Sequence, residues 1–106
     1  MKLGIIVNTK ESEMAWNALR LGNTSLKAGH AVSVFLLGSG VEIENIDHKT
    51  YDVKNTLADF LHYGGKLLAC GTCLKSRQIE GGTCPISTMS ELMAMIDDAD
   101  KVVTFG

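Results

Sequence analysis

Two cysteines, Cys70 and Cys73, stand three positions apart where an apolar run ends and a helix-like pattern begins. The first residues of a helix leave their backbone N–H groups free and carry the positive end of the helix dipole, which favours an anion. A thiol at this junction is expected to ionise more readily than in water, and the thiolate is the nucleophilic form of cysteine. The segment around Cys70 is therefore the candidate reactive site.

The Cys-x-x-Cys spacing brings both sulfurs to one side of a helix start, and three kinds of chemistry use that arrangement. The pair can act as a dithiol redox couple, supply half of a zinc site, or carry sulfane sulfur as a persulfide on one cysteine. Inert packing of two small buried side chains is the fourth interpretation. The position of Cys70 at a strand end favours reactive use over packing.

A structural zinc site is disfavoured, because it needs four ligands and the chain has three cysteines. The fourth ligand would be a histidine, and none of the three shows paired ligand spacing: His30, His48 and His62. A thioredoxin-like couple normally lies near the start of its domain beside a proline-bearing loop, whereas the single proline here, Pro85, adjoins Cys84. Disulfide exchange therefore ranks second.

Two basic residues, Lys75 and Arg77, follow the first cysteine closely. A cation near a thiolate or a persulfide stabilises its negative charge, and it can also dock an acidic patch on a partner protein. Each can equally belong to a solvated helix face. Both are retained as supporting residues of the candidate site.

The composition indicates one ordered domain over residues 1–106. Hydrophobic residues make up 45% of the chain and charged residues 21%, as in ordinary globular proteins. The net charge of −2 and the scattered lysines provide no basic field, so nucleic acid is not expected as a direct partner. The odd number of cysteines argues against a disulfide framework.

The first eight residues carry one lysine and an apolar stretch that is too short for a secretory signal or a membrane span. A cytoplasmic protein without a membrane partner is therefore expected. That compartment keeps cysteines reduced, in keeping with thiol chemistry.

Runs of β-prone residues alternate with segments of helical periodicity. Strands are predicted at residues 3–7, 31–37, 66–70 and 101–105, and helices from 12 or 13 to about 28, from 51 to 63, from 71 to about 78 or 79, and through 89–96. Residues 38–40 are interpreted as a turn, 41–50 as a loop and 80–85 as a flexible loop. The alternation predicts a three-layer α/β/α sandwich with a mostly parallel sheet of four to five strands. Ligands in such folds gather beyond the carboxyl ends of strands, where Cys70 lies.

The last helix has an identifiable start. Ser87 or Thr88 can cap it, and Glu91 follows Thr88 at capping-box spacing. Five apolar residues are expected to form its core-facing side: Met89, Leu92, Met93, Met95 and Ile96. Any part of that stripe left exposed would be a contact between subunits.

From Cys70 to Arg77 the chain resembles the DsrE/DsrF-like family of small sulfur-relay proteins, which includes the TusD-type subunits of tRNA thiolation. The resemblance covers nearly the whole chain, from the first apolar strand and long helix to the closing strand entry Ala99-Asp100-Lys101-Val102. In sulfur-carrying members a cysteine ends the third strand and a basic residue follows about two turns later. Cys70 and Arg77 hold those places.

The chain departs from the relay subunits at two points. Gly71, Thr72 and Cys73 stand where those subunits tend to have small apolar residues, and Gln78 stands where a glycine often follows the basic residue. The chain is more similar to an uncharacterised single-subunit branch, whose members tend to form homotrimers or homohexamers. The resemblance implies self-association, with sulfur-donor and sulfur-acceptor proteins as further partners.

The resemblance also implies a sulfur carrier in which Cys70 holds a persulfide and passes its outer sulfur to an acceptor thiol, without a metal or organic cofactor. Cys73 would release the sulfur by forming a disulfide with Cys70, and Cys84 is the alternative resolving thiol. Four further residues are expected to support the site: Gly71, Thr72, Lys75 and Arg77. A thiol-disulfide redox protein and a non-catalytic oligomeric binding module are the alternatives. An exposed Cys70 would favour the carrier, and a covered one would favour packing.

Overall fold

The residues that the computed structural model describes, 1–78 and 86–106, form a sheet of five parallel strands. The strands are β1 (Lys2–Val7), β2 (Ala31–Leu36), β3 (Lys66–Cys70), β4 (Ile86–Ser87) and β5 (Lys101–Phe105). Their order across the sheet is β4-β3-β2-β1-β5. The predicted α/β fold is confirmed, and all its strands end at the same edge as β3.

Helices cover both faces of this sheet. They are α1 (Ser12–Lys27), α2 (Val53–His62), α3 (Gly71–Ser76) and α4 (Met89–Asp98), with a 3-10 helix at Gly38–Asn45. Successive residues of a strand point to opposite faces. Gly4 lies against Met95 of α4, whereas Ile5 lies against Gly22 of α1. α1 and α4 therefore occupy opposite layers, as a three-layer sandwich requires.

The central strands are buried on both faces, which explains their continuous apolar runs. Ile5 and Val7 of β1 and Val34 and Phe35 of β2 are fully excluded from solvent. The edge strand β5 is much more exposed, and Val102 retains 36% of its accessible surface. The core therefore lies under β1, β2 and β3, and β3 ends in the candidate reactive cysteine.

A glycine allows α1 to approach α2. A Cβ atom at Gly22 would lie 2.9 Å from Cε1 of Phe60, so a larger residue would push the two helices apart. This contact fixes α2, whose chain continues directly into β3. Within residues 1–78 and 86–106, none of the helices is both long and apolar enough to cross a bilayer.

Hydrophobic periodicity did not predict two of the secondary-structure elements. The residues expected to form a turn and a loop after β2 begin with the 3-10 helix, and β4 was not predicted as a strand. Two residues are too few to display the alternation that marks a strand. The predicted third helix ends earlier, at Ser76. Residue 79 and the predicted flexible loop at 80–85 lie outside the described residues.

The cap of α4 is as predicted, but its apolar stripe is not. Thr88 is the N-cap, and its hydroxyl accepts the Glu91 backbone N–H at 3.2 Å. The expectation that the whole stripe faces the core is wrong, because the apolar sector of α4 is wider than the sheet covers. Leu92 is buried and Met95 packs on the core. Three residues on the neighbouring sector keep 59%, 60% and 38% of their surface exposed: Met89, Met93 and Ile96.

Candidate functional site

Cys70 lies at the predicted strand–helix junction. It is the last residue of β3 and the N-cap of α3. Only 2% of its surface is exposed, so the thiol is covered rather than displayed on the surface. It nevertheless borders an open cavity of about 720 Å³ at the carboxyl edge of the sheet. Access to Cys70 therefore runs through this cavity.

The cavity brings together most of the residues predicted around the cysteine. Gly71, Thr72 and Lys75 of α3 line it together with Cys70. The opposite wall is formed by the short edge strand and the start of α4, including Ile86, Ser87 and Thr88. The site therefore combines two neighbouring strand ends of a parallel sheet, where such folds place ligand chemistry.

Cys73 lies one helical turn beyond Cys70 and is more exposed. Its Sγ accepts a hydrogen bond from the backbone N–H of Gly38, with an N···S distance of 3.3 Å. Gly38 is the first residue of the 3-10 helix after β2. The thiol of Cys73 therefore contacts the segment that follows β2. Cys73 is therefore the second thiol of the candidate site, and its environment differs from that of Cys70.

The position of Gly38 depends on the absence of a side chain. Its φ angle is +54°, and a Cβ atom there would overlap the side-chain oxygen of Asn8. A Cβ atom at Gly40 would overlap the carbonyl oxygen of Val7. The turn interpreted as a plain connection therefore packs tightly on the end of β1, and it presents an N–H group to Cys73.

The two supporting cations have different surroundings. Lys75 borders the cavity with Cys70. Arg77 instead pairs with Glu42 of the 3-10 helix, with its Nε 3.3 Å from the carboxylate oxygen, and its Nη1 lies 3.5 Å from the carbonyl oxygen of Cys73. Arg77 therefore ties α3 to the 3-10 helix, which also carries the N–H donor to Cys73.

Gly71 lets the edge strand approach the cysteines. A Cβ atom at Gly71 would lie 2.8 Å from Cγ2 of Ile86 and 3.3 Å from the carbonyl oxygen of Ser87. This close contact places β4 directly beside the first turn of α3. Gly71 therefore allows α3 to pack against β4 because it has no side chain.

Both described cysteines are free thiols. Cys84, predicted as an alternative resolving thiol, lies outside the described residues. Within residues 1–78 and 86–106, no group of three or more histidine, cysteine or carboxylate side chains is arranged to hold a metal ion.

One residue of the site was missed by sequence reasoning. Ser87 pairs with Cys70 across the sheet, is buried, and lines the same cavity. Only its capping potential was considered, because a two-residue strand leaves no periodic signal to place its side chain. Its position shortly after Pro85 was the one indication in the sequence that Ser87 follows a loop.

The comparisons with known proteins agree with this architecture. A model of the DsrE/DsrF-like family matches residues 1–105. The uncharacterized protein MJ0989 of Methanocaldococcus jannaschii is 33% identical over 116 aligned positions, covering 99% of this chain and all of that protein. BT1422, a conserved protein of unknown function from Bacteroides thetaiotaomicron, has the same fold, with a TM-score of 0.80 and 17% identity over 98% of this chain and 94% of that one. The chain belongs to the DsrE/DsrF-like family.

Proposed function

We propose that this protein is a sulfur carrier, which accepts sulfane sulfur as a persulfide on Cys70 and passes it to an acceptor thiol. The family is associated with sulfur relay. The observation that carries the proposal is the position of Cys70, which ends β3 and borders an open cavity lined by Lys75. A cysteine at the end of a strand and at a helix start is placed for nucleophilic attack.

The chemistry is an exchange of one sulfur atom between cysteines. The Cys70 thiolate attacks the outer sulfur of a donor persulfide, the S–S bond of the donor breaks, and the donor cysteine leaves as a thiolate. An acceptor thiolate then attacks the outer sulfur now held on Cys70, and the Cys70 thiolate is released. No external oxidant or reductant enters either step.

Cys73 provides a second way to release the sulfur. The sulfur of Cys73, which accepts the Gly38 N–H, attacks the inner sulfur of the Cys70 persulfide as a thiolate. A Cys70–Cys73 disulfide forms and the outer sulfur leaves as hydrosulfide, so the sulfane sulfur is reduced while the two thiols are oxidised. Cys84 is the alternative thiol for the same step. The carrier is then reset by reduction of the disulfide.

A thiol-disulfide redox protein is the second candidate function. It is favoured by one observation, the unequal environments of the two thiols: Cys73 is partly exposed and accepts an N–H, whereas Cys70 is buried. Redox pairs commonly combine one accessible thiol with one protected thiol. In this alternative Cys73 attacks the substrate disulfide and Cys70 resolves it.

The low exposure of Cys70 also favours inert packing, which leaves a third candidate, a non-catalytic binding module. That alternative gives no role to the cavity beside the thiol. It is tested directly, because a packed cysteine resists alkylation and sulfur loading alike.

Intact-protein mass spectrometry distinguishes these functions. The reduced protein is incubated with a cysteine desulfurase as persulfide source, and the parent is compared with Cys70→Ser, Cys73→Ser and Cys84→Ser. A gain of one sulfur atom that only Cys70→Ser abolishes is the expected result. Loss of two hydrogens that requires both Cys70 and Cys73 would support the redox function, and no mass change in any variant would support the binding module.

We further propose that the protein works in the cytoplasm as a homotrimer or homohexamer. The support for assembly is the row of exposed apolar side chains on α4, since water-exposed rows of this kind mark contact surfaces. The cytoplasm is proposed because the sulfur-carrier chemistry needs reduced thiols, which that compartment maintains. Size-exclusion chromatography with light scattering measures the assembly, and a monomer mass would contradict it.

A further inference from the structure

Ser87 is a buried polar residue that the mechanism above does not use. Its exposure is 2%, and within residues 1–78 and 86–106 its Oγ has no hydrogen-bond partner. Burying a hydroxyl without a partner is unfavourable, because the group loses the hydrogen bonds that water would provide. Such a group in a folded protein calls for a specific explanation, and a role toward a ligand or a reacting atom is one.

The sheet places this hydroxyl beside the candidate nucleophile. Cys70 and Ser87 occupy paired positions on the adjacent parallel strands β3 and β4. Paired residues of neighbouring strands point to the same face, and the strands lie about 4.8 Å apart. Both residues also line the same cavity. The serine side chain can change rotamer about its Cα–Cβ bond, and such a change would direct its hydroxyl donor toward the sulfur of Cys70.

We propose that the Ser87 hydroxyl donates a hydrogen bond to the sulfur on Cys70 whenever that sulfur is charged, as the thiolate before loading and as the persulfide afterwards. This inference rests on the proposed sulfur-carrier function. A neutral thiol needs no such donor, whereas an anionic sulfur in a site walled partly by Leu74 and Ile86 does. The unpartnered hydroxyl of the resting protein is then the donor for the charged state.

The proton of Ser87 stays in place throughout the reaction. As the Cys70 thiolate attacks the outer sulfur of the donor, its charge moves to the departing donor thiolate, and the new persulfide then ionises at its outer sulfur. The hydroxyl keeps donating to the sulfur that carries charge, so no bond to Ser87 forms or breaks. Its effect is on the reactivity of Cys70 and on the lifetime of the persulfide.

Inert packing of Ser87 and the proposed role make different predictions for the reactivity of Cys70. If the hydroxyl served no reacting group, Ser87→Ala would remove an unsatisfied buried oxygen, leave reactivity unchanged and leave stability equal or higher. If it serves Cys70, the same substitution leaves stability equal or higher and lowers reactivity. Reactivity measured on this variant therefore separates the two explanations, and its stability shows that the fold is kept.

The test uses the full chain with Cys73→Ser and Cys84→Ser, so that Cys70 is its single cysteine. Ser87→Ala and Ser87→Thr are made in this background. The matched control is Ser33→Ala, since Ser33 is a partly buried serine of β2 that lines a different cavity. Iodoacetamide alkylation at pH 7, the lifetime of the desulfurase-loaded persulfide, and thermal unfolding are measured for each protein.

In Ser87→Ala, alkylation of Cys70 is expected to slow about ten-fold, as loss of a hydrogen bond to a charged group implies, and the persulfide lifetime to shorten with it. Ser87→Thr keeps the hydroxyl and should retain the alkylation rate and persulfide lifetime of the parent. Ser33→Ala should change neither quantity. Parent-like alkylation in Ser87→Ala would overturn the proposal, and so would a parent whose Cys70 is inert. A parent that alkylates with the expected Ser87 dependence but takes up no sulfur would refute the carrier function and leave the hydroxyl contact standing.

Discussion

The backbone N–H of Gly38 donates a hydrogen bond to the Sγ of Cys73 over 3.3 Å. This contact joins the segment that follows β2 to the helix that follows β3. The two segments are 35 residues apart in sequence, and they meet only because their strands are neighbours in the sheet. The environment of the second thiol is therefore a product of the fold rather than of its own helix.

Replacing Gly38 by alanine tests this contact. We expect Gly38→Ala to lower the free energy of unfolding by about 2 kcal/mol, because alanine disfavours a positive φ and its Cβ would overlap the Asn8 side chain. Alkylation of Cys73 should slow about five-fold as the N–H moves away. Urea unfolding and mass-resolved alkylation measure the two effects.

The control for that substitution is Gly29→Ala. Gly29 also has a positive φ, of +92°, but no atom lies within 4 Å of the position of a new Cβ. Gly29→Ala should lower the free energy of unfolding by about 1 kcal/mol, from the backbone conformation alone. The rate of alkylation of Cys73 should not change. Equal slowing of Cys73 in both variants would contradict a local role for Gly38.

Gly71→Ala is expected to report the close approach of β4. Alanine favours a helix over glycine by about 1 kcal/mol, yet its Cβ would lie 2.8 Å from Cγ2 of Ile86. We expect net destabilisation in the parent and a smaller destabilisation when Ile86→Ala removes the closer of the two contacts. A double-mutant cycle by urea unfolding measures this coupling. Additive effects would show that β4 moves aside without penalty.

The ion pair between Arg77 and Glu42 should be stronger than the pair between Lys2 and Asp98. The first has side chains that are 33% and 28% exposed, and the second 59% and 67%, although its N···O distance is shorter, 3.0 Å against 3.3 Å. Burial weakens screening by solvent, and exposed pairs contribute about 0.2–1 kcal/mol. Double-mutant cycles at low and high salt compare the two couplings. A larger coupling for Lys2 and Asp98 would contradict this ranking.

Assembly through α4 is tested by placing a charge on its exposed apolar row. Met93→Glu should convert an oligomer to a monomer, because Met93 is 60% exposed in the isolated chain and a carboxylate would be buried without a partner in the assembly. The control is Ser90→Glu, which adds the same charge to the same helix at an exposed polar position. It should leave the mass of the assembly unchanged. Light scattering gives both masses, and an unaltered oligomer in Met93→Glu would place the interface elsewhere.

The strand–helix junction at Cys70 was predictable because the hydrophobic period changes there within a few residues. The neighbours of the cysteines were not. The Gly38 contact depends on strand order, which periodicity does not determine, and the Ser87 pairing depends on a strand of two residues. The burial of the apolar residues of α4 was predicted wrongly, because an apolar residue type does not indicate whether the side chain faces the core or another surface.

Two residue pairs, Ala69 with Ile86 and Cys70 with Ser87, hold β4 against β3. Local opening requires little free energy where few contacts must break, so the amides of β4 should exchange with deuterium far sooner than those of β3. Opening of this edge would widen the cavity beside Cys70. Among the described strands, the one held by the fewest residue pairs therefore forms one wall of the candidate site.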